Sequence, residues 1–312
     1  MREVYGGERR LAHVNRLKGG SKKGVYRLTF QDKGPTAVLY VWSDDEDYWD
    51  AAHLKRPEPF THGSGLALFR AAHARLAEAG VRVPALYVAD DGRDLYPADV
   101  ALIEDVRGGT LEARLKAGDT KAMERLAQDL RAMARCREPG LGKVARVESG
   151  RPVGRAAPEI VLEAALTDLG EAASRVEPIG AVAAELEERL RGLAAGIEPR
   201  TDHGLIHGEL GPDHVLMDDD GRPVLIDIEG AMFFDVEWEH VFLRIRFGDH
   251  YARLRTGGDL DERRMRLYEL AQHLSLVAGP LRLLDGDFPD RAFMLGIARH
   301  HTSEILRKSD VW

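Results

Sequence analysis

Short runs rich in β-branched, aromatic and aliphatic residues open the chain, at Leu11–Leu17, Gly24–Phe30 and Thr36–Trp42. The turn-prone stretches GGSKK and QDKGP separate them, which predicts three strands joined by short connections. Leu66, Phe69, Ala72, His73 and Leu76 then recur at helical spacing, and Gly80 closes a helix predicted over Leu66–Ala79. Val81-Arg-Val-Pro begins another extended segment. Val100–Glu104 reads as a further strand, with Arg107-Gly-Gly behind it as a flexible joint. From Thr110 onward the pattern turns Ala-, Leu-, Glu- and Arg-rich, predicting helices over Leu111–Leu115, Lys121–Arg137, Pro158–Ala173 and Ile179–Leu193. Two short strands, Val215–Met217 and Val224–Ile228, interrupt them, joined by Asp-Asp-Asp-Gly as a hairpin turn. Helices resume around Glu237–Phe247, Asp259–Val277 and Arg291–Arg307. The fold class expected is α+β in two lobes. A small β-rich lobe would take 1–106 and a large α-helical lobe 107–312, divided near Val106.

At 312 residues the chain is long enough for two cores, and its 44% hydrophobic and 31% charged residues are those of a soluble globular protein. No apolar run reaches the ~20 residues that span a bilayer, so no membrane association is expected. The opening MREVYGGERR has no apolar stretch behind its charges. No secretory signal is therefore expected, and the cytoplasm is the default compartment. Cys136 is the single cysteine and reads as a small buried residue in a helix. A net charge of −8 argues against a nucleic-acid partner and suits a cationic small substrate.

The stretch with the clearest chemistry is HGELGPDHVLMDDDGRPVLIDIEGAMFFD, from His207 to Asp235. It sets an acid, Glu209, in a loop, then a hairpin, then Asp227 and Glu229 on the second predicted strand. Alternation along that strand would project both carboxylates from one face. Leu225, Ile226 and Ile228 would hold the strand against a dry support. Paired carboxylates of this kind suit a hard cation such as Mg²⁺, which takes oxygen ligands.

This segment resembles the aminoglycoside phosphotransferase and choline kinase families, which share the protein-kinase fold. Their catalytic loop carries a His, a catalytic Asp two positions on, and a metal-binding Asn five beyond. Here His207, Glu209 and His214 stand at those places. Asp227 in LIDIEG matches the metal-binding Asp, and Asp235 matches an Asp that braces the catalytic loop from the next helix. The resemblance implies ATP (GTP as the alternative) between the lobes with its adenine near Ile103 to Val106. It also implies Mg²⁺ (or Mn²⁺) on Asp227, with Glu229 and His214 as secondary ligands. The acceptor would be the hydroxyl of a small molecule, oriented and deprotonated by Glu209. His207 would pack behind the loop.

Four positions depart from the family pattern. Glu209 replaces the catalytic Asp and adds a methylene to its reach. His214 replaces Asn, and imidazole is a poor ligand for Mg²⁺. Tyr40 stands where the third strand carries a phosphate-binding Lys, and Phe69 where the next helix carries that lysine's Glu partner. Both halves of an ion pair are thus replaced together, and an aromatic pair between Tyr40 and Phe69 is the expected substitute. Lys22 or Lys23, in the loop expected to cover the nucleotide, would supply the phosphate contact. Asp44–Asp47 read as a solvated acidic run near the cleft mouth. The competing reading is a pseudo-phosphotransferase that binds nucleotide or serves as a scaffold. A third, a metal site of His203, His207 and His214, needs a helix where Gly204 and Gly208 favour strand and loop.

Overall fold

A computed structural model of the chain describes residues 9–18, 20–49, 56–255 and 259–308. Met1–Glu8, which bear on the reading of the N-terminus, and Gly19 of the GGSKK stretch lie outside the described residues. The elements begin with β1 (Leu11–Arg16), β2 (Gly24–Phe30), β3 (Ala37–Trp42) and α1 (Leu66–Glu78). Next come β4 (Leu86–Asp90), β5 (Asp99–Glu104), α2 (Leu111–Lys116) and α3 (Met123–Arg135). Then follow β6 (Arg137–Glu138), β7 (Gly142–Lys143), α4 (Val144–Glu148), α5 (Ala157–Arg175), α6 (Glu177–Ala181) and α7 (Ala183–Ala195). The chain continues through β8 (His203–Ile206), β9 (Val215–Met217), β10 (Pro223–Leu225) and β11 (Met232–Phe234). It closes with α8 (Val236–Phe247), α9 (Glu262–Leu283) and α10 (Arg291–Lys308). No helix among the described residues is long and apolar enough to cross a membrane.

Two compact units emerge. The first gathers the described residues of Met1–Tyr48, Gly63–Asp129 and Pro212–Gly230, and the second those of Trp49–His62, Leu130–Gly211 and Ala231–Trp312. The division therefore does not follow one cut near Val106. Segment 212–230, with the β9–β10 hairpin, belongs with the sheet-bearing unit.

The first unit is built on an antiparallel sheet of order β1-β2-β3-β5-β4. Leu28, Phe30, Ala37 and Leu102 form one apolar cluster on it, because alternate residues of neighbouring strands meet on one face. Arg107-Gly-Gly is not a loose joint. Gly108 N donates to Met217 O at 3.0 Å, and Met217 N donates to Gly109 O at 2.9 Å. A side chain at Gly108 would bring its Cβ to 2.2 Å from Met217 O, so glycine is required by the close backbone approach. In the β9–β10 hairpin, Asp218 Oδ1 accepts from Asp220 N and Arg222 N at 3.0 and 2.7 Å, and Gly221 takes φ +72°. Asp218 thus builds the turn.

The second unit packs α5, α7 and α9 around an apolar core that includes Ile160, Leu186, Tyr268 and Leu274. A small antiparallel sheet of order β6-β8-β11-β7 lies in the same unit. The helix predicted over Ile179–Leu193 breaks at Val182 into α6 and α7.

Candidate active site

The first unit brings together residues that lie far apart in sequence. Lys23 immediately precedes β2, and Val25, two residues on, pairs with Tyr40 of β3. Alternation therefore places Lys23 on the Tyr40 side of the sheet. Its ammonium lies 2.7 Å from Asp227 Oδ1, 2.6 Å from Glu229 Oε1 and 5.0 Å from the Tyr40 ring centroid. The Lys23 and Glu229 side chains are only 5% and 4% exposed, whereas Asp227 is 43% exposed. Burial works against the Lys23 charge, but Asp227 and then Glu229 more than offset it, and the lysine pKa is raised. The Lys23 ammonium in turn holds Asp227 far below the usual carboxylate range, assisted by His214 and Lys22. Glu229 Oε2 has no hydrogen-bond partner among the described residues.

The two carboxylates do not reach Lys23 from a strand face. β10 ends at Leu225, Ile226 N donates to His214 O, and Asp227 takes φ +59°. That left-handed conformation is one Asp tolerates better than most residues. Ile228–Gly230 is a 3-10 turn, so the strand ends three residues earlier than expected. A left-handed residue followed by a tight turn converges the carboxylates instead. His214 sits at the end of another 3-10 turn, its Nε2 3.8 Å from Asp227 Oδ2 and 3.9 Å from Asp213 Oδ2. Lys22 is placed by its backbone, whose carbonyl accepts from Ser64 Oγ at 2.8 Å.

Tyr40 and Phe69 do form an aromatic pair, edge to face at 5.6 Å, and Trp42 contacts both at 5.9 and 5.7 Å. Burial raises the Tyr40 pKa, so its phenol stays neutral. Ile103, on β5, is buried opposite Val38, and Val106 is buried just beyond that strand. Asp105 between them is tied to Arg27 at 2.8 Å and to Thr36 at 2.5 Å. In the acidic run Asp44 and Asp45 are exposed, whereas Glu46 is engaged. Glu46 pairs with Arg16 at 2.5 Å and accepts from the Tyr26 hydroxyl.

The second unit carries the loop after β8. His207 is fully buried and its Nδ1 accepts from Glu209 N at 3.4 Å, while Glu209 itself is exposed. Gly208 takes φ +93°, and its N–H donates to Glu239 Oε2 at 2.8 Å. Burial pushes Glu239 up to about 7, against the opposing backbone hydrogen bonds from Gly208, His207 and Leu210. Asp235, expected to brace this loop, is engaged elsewhere. It pairs with Arg264 at 2.6 Å, accepts from the Tyr268 hydroxyl, and lies 3.8 Å from Arg200. Glu239, one helical turn further along α8, braces the loop instead. His203 lies on β8, so the helical face required for a three-histidine site does not exist.

A profile of the phosphotransferase enzyme family matches residues 32–276. The chain belongs to this phosphotransferase family. Solved structures share its fold at low identity. Spectinomycin phosphotransferase APH(9)-Ia in complex with ADP and spectinomycin is 13% identical, with a TM-score of 0.66, covering 96% of this chain and 94% of that one. A thermostable mutant of aminoglycoside phosphotransferase APH(4)-Ia in apo form is 18% identical, with a TM-score of 0.62 and 97% of each chain covered. A putative fructosamine-3-kinase from Haemophilus somnus 129PT is 12% identical, with a TM-score of 0.60, covering 98% and 95%. A search of curated proteins returns no match. The α+β, protein-kinase-like fold read from the sequence is the fold of this family.

Within the phosphotransferase pattern, the residues that fit a divalent cation are Asp227 and Glu229. Both are hard oxygen donors, and Glu229 Oε2 is a buried oxygen still lacking a partner. Mg²⁺ in nucleotide sites commonly takes one or two carboxylates and completes its shell with phosphate and water. Among the described residues no three His, Cys, Asp or Glu side chains are grouped as metal ligands, so His214 does not extend the pair into a protein cage. Two features escaped the sequence reading. Lys23 was one of two candidates, and its pairing with both carboxylates could be sought only from the missing lysine at position 40. Glu239 gave no signal, since a Glu in VEWEHVF looks like an ordinary helix-surface charge.

Proposed function

We propose that the chain transfers the terminal phosphoryl group of ATP to a hydroxyl of a small, amine-bearing molecule. One observation carries this reading: Lys23, Asp227 and Glu229 converge within one unit of a phosphotransferase-family chain that lacks the usual lysine on β3. A relocated lysine keeps a phosphate-binding cation in the site, which a chain that had abandoned the chemistry would not need. Relatives of the same fold solved with ADP and hygromycin B, or with ADP and spectinomycin, support a nucleotide plus a small-molecule acceptor.

In this proposal the sheet within 1–106 is the nucleotide-binding part, with the base against Ile103 and Val106 and the phosphates toward Lys23 and Lys22. The same apolar surface accepts guanine, so GTP is the alternative donor. Residues 107–312 carry the catalytic loop and the acceptor site. Asp227 and Glu229 would hold Mg²⁺ or Mn²⁺, which when bound neutralises charge on the phosphate oxygens. Glu209 orients the acceptor hydroxyl and takes its proton as the new oxygen–phosphorus bond forms and the bond to the ADP oxygen breaks.

The test is incubation with ATP or GTP, Mg²⁺ or Mn²⁺, and a panel of hydroxylated amines, read by mass spectrometry. A product heavier by one phosphoryl group, with ADP or GDP in equal amount, is expected. No product from any acceptor, together with no nucleotide-induced melting shift, would refute the proposal.

A further inference from the structure

The two carboxylates proposed for the divalent cation already hold a cation of their own. The Lys23 ammonium bridges Asp227 Oδ1 and Glu229 Oε1 at 2.7 and 2.6 Å, in a place where Lys23 and Glu229 are almost wholly buried. An ammonium at those distances and a Mg²⁺ ion at ~2.0–2.1 Å from the same oxygens cannot share the space. Nor would a buried ammonium tolerate a doubly charged ion beside it without intervening anions. The unpartnered Glu229 Oε2 shows that one lysine does not satisfy the donor set. The Tyr40 ring, 5.0 Å from the Lys23 nitrogen, closes that side with a face that favours cations.

We infer that Lys23 is a built-in competitor for the divalent-cation site, occupying Asp227 and Glu229 until nucleotide phosphates arrive to take its ammonium. Metal alone is then a poor ligand, because it must displace a buried ion pair and strand the lysine. Metal with nucleotide is a good one, since the phosphates receive Lys23 while the carboxylates receive the metal. The device keeps the carboxylates compensated in the empty protein and couples metal entry to nucleotide entry. This inference rests on the reading of Asp227 and Glu229 as the divalent-cation ligands.

The test is Mn²⁺ binding without nucleotide, followed by the loss of the free-ion signal in electron paramagnetic resonance. Lys23→Met should bind Mn²⁺ about tenfold or more tightly than the wild type, since two carboxylates are freed. Lys23→Arg, which keeps the competing charge, should show no such gain. Equal Mn²⁺ affinity in wild type and Lys23→Met would overturn the inference. Should Lys23→Met not fold, the wild type serves. Reductive methylation at Lys23, read by mass spectrometry, should be slow in the metal-free protein and faster once Mn²⁺ fills the site. A lysine still protected with Mn²⁺ bound overturns the inference equally. These readouts need neither ATP nor acceptor. A gain in Mn²⁺ affinity without any phosphorylated product would sink the proposed activity but keep the competition, and turnover without the gain would do the reverse.

Discussion

The Lys23 ammonium stands 5.0 Å from the centroid of Tyr40, the residue at the strand position where the sequence resemblance leads one to expect a phosphate-binding lysine. The cation beside Asp227 and Glu229 thus comes from the residue just before β2 and not from β3. The β2–β3 register makes the exchange feasible, because Lys23 and Tyr40 share a face.

Tyr40→Lys should therefore harm the protein instead of restoring it. The variant sets a second ammonium beside Lys23 and removes the edge-to-face contact with Phe69. A loss of ~2–4 kcal/mol is expected in urea denaturation. Unchanged stability would mean that Lys23 is not held where the structure has it.

Asp227→Ala removes the more exposed of the two carboxylates and leaves Lys23 paired with buried Glu229. Turnover should fall by about 1,000-fold or more with the circular dichroism spectrum unchanged. Turnover close to wild type would eliminate Asp227 as a ligand in the reaction.

Glu209→Gln keeps size and removes the base. The expected result is kcat lower by about 100-fold with nucleotide affinity within about twofold, since proton acceptance matters in the transition state alone. Parallel losses in both would mark Glu209 as a binding residue.

Glu239 positions the loop through the Gly208 N–H. Glu239→Leu should lower kcat by about 10- to 100-fold with little change in the KM for nucleotide, because a buried N–H loses its acceptor and the loop shifts. Glu239→Gln, which retains an acceptor oxygen, should recover most of the rate. Failure of glutamine to outperform leucine would remove the positioning role.

A fifth prediction concerns acid. His273 and His301 are buried with their Nδ1 atoms 2.8 Å apart. Burial brings them down to about 4 and about 3, with His300 and Lys308 adding to the effect and Glu269 and Glu304 opposing it. The unfolded chain protonates these imidazoles near pH ~6.5 and the folded one only below about 4, so stability falls as pH drops through that interval. Glu239, raised to about 7, works the opposite way, favouring the fold at lower pH. Comparison of wild type with His301→Gln isolates the pair. Urea midpoints between pH 7 and 4 should decline less in the variant, and an equal decline would dismiss the imidazoles as its source.

The strands of the five-stranded sheet were legible because β-branched and aromatic runs alternate with Gly- and Pro-bearing turns. The exchange of an ion pair for Tyr40 and Phe69 was legible too, since both charges were missing together. What the pattern concealed was local backbone geometry. LIDIEG reads as a continued strand, yet the strand ends at Leu225 and Asp227 turns left-handed, a choice that alternation does not encode. The bracing carboxylate was misplaced for a different reason. Arg264 and Tyr268, some thirty residues downstream, capture Asp235, and no short-range signal announces it.

The Tyr40, Trp42 and Phe69 rings fasten α1 to its sheet through the packing of neutral aromatics. Contacts between neutral rings are indifferent to counterions, whereas a partly exposed ion pair weakens as its field is shielded. The seating of this helix on its sheet should consequently be the same in dilute buffer and in molar potassium chloride.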